Sequence, residues 1–185
     1  DISSWDVSNV TNMANMFGYA SQFSTDISSW DVSSVTNFHY MFANSAVNPD
    51  MCLADWDVSN AVTMSGMLEG GHSPCDLSGW DISNVTNFMF MFSSNWSSEE
   101  DRCAVNTAFS LNDAWLTAIE NGQLSDWSAF CPFQPQSKNE LKTAVDLWVS
   151  DSAAAIEAYG EINKWDVSLI TNMAELFHHK STFNG

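Results

Sequence analysis

One phrase recurs along the chain and limits what the chain can become. Asp1-Ile-Ser-Ser-Trp-Asp-Val-Ser-Asn-Val-Thr-Asn-Met13 returns as Asp26-Ile-Ser-Ser-Trp-Asp-Val-Ser-Ser-Val-Thr-Asn-Phe38 and as Asp76-Leu-Ser-Gly-Trp-Asp-Ile-Ser-Asn-Val-Thr-Asn-Phe88. Looser copies run from Leu53 to Met64 and from Lys164 to Met173. The marker tryptophans Trp5, Trp30, Trp56 and Trp80 are spaced by 25, 26 and 24 residues, and Trp165 marks a fifth copy. That spacing lies within the ~20 to 29 residues of leucine-rich-repeat-like coils. A unit this short cannot bury an apolar face alone, so successive units must share one core.

Within a unit, Ile-x-x-Trp-x-Val alternates near period two and predicts a short strand. Val10, Met13, Met16 and Phe17 then have the spacing of an extended piece leading into a short helical turn. The expected fold is an LRR-like repeat solenoid, with short parallel strands about 4.8 Å apart and short helical turns. Columns of Trp, Val, Met and Phe would fill its interior.

The motif from Phe23 to Phe42 resembles the 25 to 26 residue repeats of bacterial and microalgal surface proteins grouped with BspA-like leucine-rich-repeat surface proteins. The resemblance implies an extracellular repeat protein used for adhesion or surface structure, with no catalytic residues to carry over. The chain departs from the pattern at Cys52, at Ala46 to Met51, at Ala61, and throughout Asn95 to Asn163.

Four segments follow from this reading. Residues 1–94 form four repeats. Residues 95–136 form a closing cap, with a helix carrying Leu111, Trp115, Leu116 and Ile119 on one face, Asn112 as N-cap and Gly122 as stop. Residues 137–163 form a helical opening cap. There Ser137 and Glu140 have capping-box spacing, Leu141, Ala144, Val145, Trp148 and Val149 share a face, and Asp151 and Gly160 bound a second helix. Residues 164–185 begin a new stack. Joining Gly185 to Asp1 restores the motif, and Trp165 through Gly185 and on to Trp5 again spans 25 residues. The chain is therefore expected to be one period of a longer array, covalent or head-to-tail, with Ile2, Trp5, Trp165, Phe177 and Phe183 at the end-to-end contact. An arbitrary boundary is the competing explanation. With no signal-peptide leader at its start, the chain is expected to be a processed or excised piece.

Five Lys plus Arg against 23 Asp plus Glu give a net charge of -18. This balance excludes nucleic acid as a partner, because no phosphate-neutralising surface exists. No apolar run reaches the ~18 residues needed to span a bilayer, so no membrane insertion is expected. The aspartates Asp6, Asp31, Asp57, Asp81 and Asp166 would stack into a column, where calcium could relieve repulsion or the carboxylates could cap their own turns. No other cofactor is implied.

The four cysteines, Cys52, Cys75, Cys103 and Cys131, have no zinc spacing, and their even number suits disulfides in an extracellular or cell-surface protein. A bridge from Cys52 to Cys75 would leave Cys103 with Cys131, although four cysteines allow three pairings. Asn9, Asn84 and Asn95 have glycosylation spacing. Thr11, Thr36, Thr63, Thr86 and Thr171 would form a hydroxyl column, open to ice or to the neighbouring coil. His39, His72, His178 and His179 form no ligand pattern, and no catalytic motif is present, so an enzyme is not expected. The function expected is a structural or adhesive element. The alternative is a module binding glycans or another surface protein, marked by an exposed aromatic patch.

Overall fold

The first, second and fourth repeats open with two Asp-x-Ser steps and the third keeps only the second, and these steps set the backbone. Asp1, Asp26 and Asp76 accept the N–H of Ser3, Ser28 and Ser78, and Asp6, Asp31, Asp57 and Asp81 do the same for Ser8, Ser33, Ser59 and Ser83. A carboxylate bonded two residues on holds a tight turn. Main-chain bonds close both turns: the N–H of Trp5 donates to Ile2 O at 3.0 Å and that of Val10 to Val7 O at 2.8 Å, with counterparts in the next three coils.

The expectation of an LRR-like solenoid with short parallel strands is therefore corrected. In this computed structural model, which describes residues 1–45, 51–71, 75–92 and 97–183, the β pairing between neighbouring coils among the described residues is confined to isolated parallel bridges, Asn12 to Asn37 to Thr63 to Asn87, and Leu68 to Phe92. No strand occurs among the described residues. The physical reason is local. Apolar side chains three, five and eight residues apart alternate sides of a chain of turns as well as of a strand, and the Asp-x-Ser bonds favour turns.

The second half of each coil is also built of turns, where a helical turn was expected. Met16, Gly18 and Ala20 donate to Met13, Asn15 and Phe17 within the coil. Asn15 and Tyr19, both at φ of 58°, turn the intervening N–H groups outward to the next coil. Met13, Asn15, Phe17 and Tyr19 donate to Asn37, His39, Met41 and Ala43 of the following coil at 2.7–2.9 Å. Phe38, Tyr40, Phe42 and Asn44 repeat the ladder onto Thr63, Ser65, Met67 and Glu69, and Met64, Gly66 and Leu68 repeat it onto Asn87, Met89 and Met91. Left-handed backbone is costly for tyrosine or phenylalanine, yet Tyr19, Tyr40 and Phe90 all adopt it. In the third coil the place of Tyr40 and Phe90 is taken by Gly66, where a Cβ would lie 2.1 Å from the Tyr40 ring.

The described residues fall into two units, Asp1–Cys131 and Pro132–Gly185. In the first, buried columns such as Val7, Val32, Val58 and Ile82, or Met13, Phe38, Met64 and Phe88, run through four coils. Helices α1 (Glu99–Phe109) and α2 (Asp113–Glu120) then close the stack. Phe109 and Trp115 lie against Phe88, and Gln123 O takes the N–H of Phe90 in place of a further coil. Asn112 caps α2 as expected, but the helix buries Trp115 and Ala118 and leaves Leu111 in solvent.

In the second unit, α3 (Lys138–Ser150) and α4 (Ser152–Tyr159) precede the last coil. Ser137 accepts the Glu140 N–H, and the Glu140 carboxylate reaches back to the Gln136 N–H at 2.7 Å. Asp151 caps α4 and Gly160 ends it. Leu141, Ala144, Val145, Trp165 and Leu176 form the core of this unit.

Candidate interaction faces of the coils

Three kinds of side chain tie coils to the ones before them. The indole N–H groups of Trp30, Trp56 and Trp80 donate to the carbonyls of Ile2, Ile27 and Leu53 at 3.3, 3.4 and 2.9 Å. The Asn60 and Asn84 amides donate to Ser33 O and Ser59 O, both at 2.8 Å. The Thr36 and Thr86 hydroxyls donate to Thr11 O and Val62 O. The tryptophan and asparagine roles were not anticipated from sequence. Their cue was a polar atom at a constant offset in successive repeats, each needing a partner once its coil is stacked.

The expected threonine column is not continuous. Thr63 bridges Asn37 and Asn87, and Val62 occupies the threonine position. Lining up the third repeat by its threonine shifts it one residue from the fold, which instead keeps the distance from tryptophan constant and puts Ala61 in the valine slot. An exposed Val62 thus interrupts the hydroxyl ladder.

The aspartate column is engaged in its own turns. Asp6, Asp31 and Asp57 each accept both the N–H and the hydroxyl of the serine two residues on, with hydroxyl distances of 2.6–2.7 Å. Asp81 and Asp166 accept the corresponding serine N–H. Hydrogen bonds to the charged form hold all five carboxyls below their ordinary value. Asp6 and Asp57 push Asp31 in the opposite direction more weakly. Groups with a depressed folded pKa contribute stability that is fully present above the unfolded value of 3.8 and is lost as pH falls through the lowered folded values. Urea midpoints measured stepwise downward from pH 3.8 are expected to fall, and a midpoint that holds or rises there would contradict the turn-capping role. Among the described residues, no group of three or more His, Cys, Asp or Glu is placed to hold a metal.

Disulfides join Cys52 to Cys75 and Cys103 to Cys131, with Cα separations of 5.5 and 4.8 Å. Asn9 is exposed in the first coil, whereas the Asn84 amide is spent on Ser59 O, and Asn95 lies outside the described residues. His178 and His179 contact each other in the last coil, and His39 lies edge-on to Tyr40. His72 falls outside the described residues.

The residues expected at an end-to-end contact are treated unequally. Trp5 is 55% exposed, while its equivalents Trp30, Trp56 and Trp80 are 4%, 3% and 5% exposed. Ile2 is half-buried and packs against the core of its own unit. In the second unit Trp165 is covered from within: Phe133, Trp148 and Tyr159 surround its ring, and its indole donates to Gly160 O at 3.0 Å. Phe177 stacks on Phe183 at 4.3 Å, as Phe17 does on Phe23 at 4.1 Å, yet Phe177 stays 41% exposed.

A family model described as "Mycoplasma protein of unknown function, DUF285" matches residues 1–107 and 148–185. The chain belongs to this family. The DUF285 match takes in all five coils and breaks over α2, the Cys131 segment and the first part of α3. No curated protein and no solved structure matches the chain. No helix among the described residues of this DUF285 chain is long and apolar enough to cross a membrane. A groove of about 600 Å³ beside α2 has Trp80, Ile82, Leu111 and Asn112 among its lining residues. Trp80 is buried there.

Proposed function

We propose that this DUF285 protein is an extracellular or cell-surface structural element, adhesive through its own repeats, whose copies join end to end. The observation that carries the reading is the repeated set of coil-to-coil bonds, in which the Trp30, Trp56 and Trp80 indoles and the Asn60 and Asn84 amides each donate to a carbonyl of the coil before. Two disulfides suit an oxidising compartment. The resemblance to BspA-like surface repeats points to the same location. The recurring polar side chains bond turns or neighbouring coils, which is structural work rather than chemistry.

Apolar faces supply the attraction in this reading, and the surface charge of -18 per copy opposes it. Sedimentation velocity on the purified chain should show mass rising with protein concentration. It should rise further as sodium chloride is added, because screening weakens repulsion between acidic flanks. Association that is absent at high salt, or that weakens as salt rises, would overturn the proposal.

A further inference from the structure

The carbonyl edge between tryptophan and threonine is covered in the earlier coils by donors from the coil that follows. Thr11 O and Val62 O each take both the N–H and the hydroxyl of a threonine, and Ser33 O and Ser59 O take the Asn60 and Asn84 amides. Helices α1 and α2 follow the fourth coil instead, and they seat on its core. Phe109 and Trp115 lie against Phe88, and the Asn112 amide donates to Ile82 O and Val85 O at 2.8 and 3.0 Å. The outer edge is left over. Among the described residues, no donor reaches Ser83 O or Thr86 O, the counterparts of Ser33 O and Thr11 O.

That edge forms one wall of the groove of about 600 Å³ beside α2. The opposite wall carries Leu111, a large apolar side chain that is 90% exposed. Charge in the lining has one sign: Asp81 and Asp113 are both exposed there, and no Lys or Arg joins them. The C-terminus of α1 and the N-terminus of α2 flank Leu111, and their opposite partial charges offset each other, so the two carboxylates set the local field. Arg102 is the one Lys or Arg in residues 1–131, and its guanidinium lies over the Phe130 ring. The groove therefore offers hydrogen-bond acceptors, negative charge and an apolar wall together.

We propose that this groove binds a short extended segment of a partner protein, in which an apolar side chain is flanked by basic ones. The apolar side chain lodges against Leu111, and the flanking ammonium or guanidinium groups meet Asp81 and Asp113. Main-chain N–H groups of the segment meet Ser83 O and Thr86 O, continuing outward the donor-to-carbonyl interface that joins the coils. A main chain laid along an exposed edge gains affinity from such bonds and specificity from its side chains. Charge complementarity speeds encounter and selects against acidic segments. By that measure a second copy is a poor occupant, since residues 1–94 contain no Lys or Arg.

The test titrates the full chain by calorimetry, in about 150 mM sodium chloride, with the end-blocked peptide Lys-Leu-Lys-Val-Lys. Lys-Ser-Lys-Ser-Lys carries the same charge without the apolar side chains, and should bind at least about tenfold more weakly. Leu111→Ser and Asp113→Asn change exposed side chains, so folding should persist by circular dichroism while each weakens binding of the first peptide about tenfold. Asp31→Asn removes one charge from the same acidic column far from the groove and should alter binding by less than about twofold. In nuclear magnetic resonance spectra, the amides of Asn84 and Asn87, which share peptide planes with Ser83 O and Thr86 O, should shift as peptide is added. No binding of Lys-Leu-Lys-Val-Lys overturns the proposal, as does equal binding of the two peptides, which marks attraction to the acidic surface at large. Parent-like binding by both Leu111→Ser and Asp113→Asn overturns it too. So does a dimer, formed without peptide, that Leu111→Ser dissociates, since the groove would then belong to a second copy.

Discussion

Reduction of the two disulfides is expected to destabilise residues 1–131 by about 3 kcal/mol per bridge, on the loop-closure account of cross-linking. The bridges close loops of similar size, with sequence separations of 23 and 28 residues. Cys52–Cys75 fixes the starts of the third and fourth coils beside the buried Met51 and Leu53. Cys103–Cys131 ties the middle of α1 to the segment where Phe130 lies under the Arg102 guanidinium at 3.9 Å. Native stabilities of about 5–15 kcal/mol leave little reserve for losing both. Hydrogen exchange after reduction should accelerate at the ladder amides Phe38, Tyr40, Met64 and Gly66. Residues 138–183 contain no cysteine, so α3 and α4 should keep their protection. Unchanged exchange across the ladder would show that the bridges add nothing to the stack.

How much of this was legible depends on what each signal measures. Tryptophan spacing measures the length of a coil, so the stack, its columns and its phase could be read from Trp5, Trp30, Trp56 and Trp80. Apolar alternation measures only which side a residue faces, and that holds for strands and chained turns alike. The discriminating signal was the paired Asp-x-Ser, present in the sequence and read there only as a capping option. α1 was missed although Ser98 precedes Glu99, Glu100 and Asp101, an N-cap followed by an acidic first turn, and Ser98 does accept the Asp101 N–H. Leu111 looked like part of an apolar face because it lies four residues before Trp115, but it precedes the Asn112 cap and is outside α2.

The five residues expected at an end-to-end contact differ in how they are packed. Sequence period alone puts Trp165 and Trp5 on equal terms. Packing separates them, because Phe133, Trp148 and Tyr159 supply for Trp165 the cover that a preceding coil gives Trp30. The backbone donors could not be read at all, since every residue type has an N–H and only the turn pattern decides which of them point outward.

Replacing Trp115 by alanine is expected to cost about 3–5 kcal/mol, the range for emptying a buried large aromatic site. Trp115 is fully buried, and its ring lies 5.5 Å from Phe88, 5.3 Å from Phe109 and 6.0 Å from Trp127, with the indole on the Asn106 side chain. Through Trp115 the α2 cap is seated on the apolar end of the fourth coil. Trp115→Phe keeps much of that contact and loses one hydrogen bond, so it should cost distinctly less. The readout is the urea midpoint together with hydrogen exchange at Phe90, whose N–H is held by Gln123 O at 3.0 Å just beyond α2. Once the cap loosens, that amide should exchange faster in Trp115→Ala than in Trp115→Phe, while Met13 and Asn15, three coils away, change only as far as global stability requires. If Phe90 exchange follows the global midpoint alone in both variants, α2 and the coils unfold as one unit, and Trp115 holds the whole stack rather than its end.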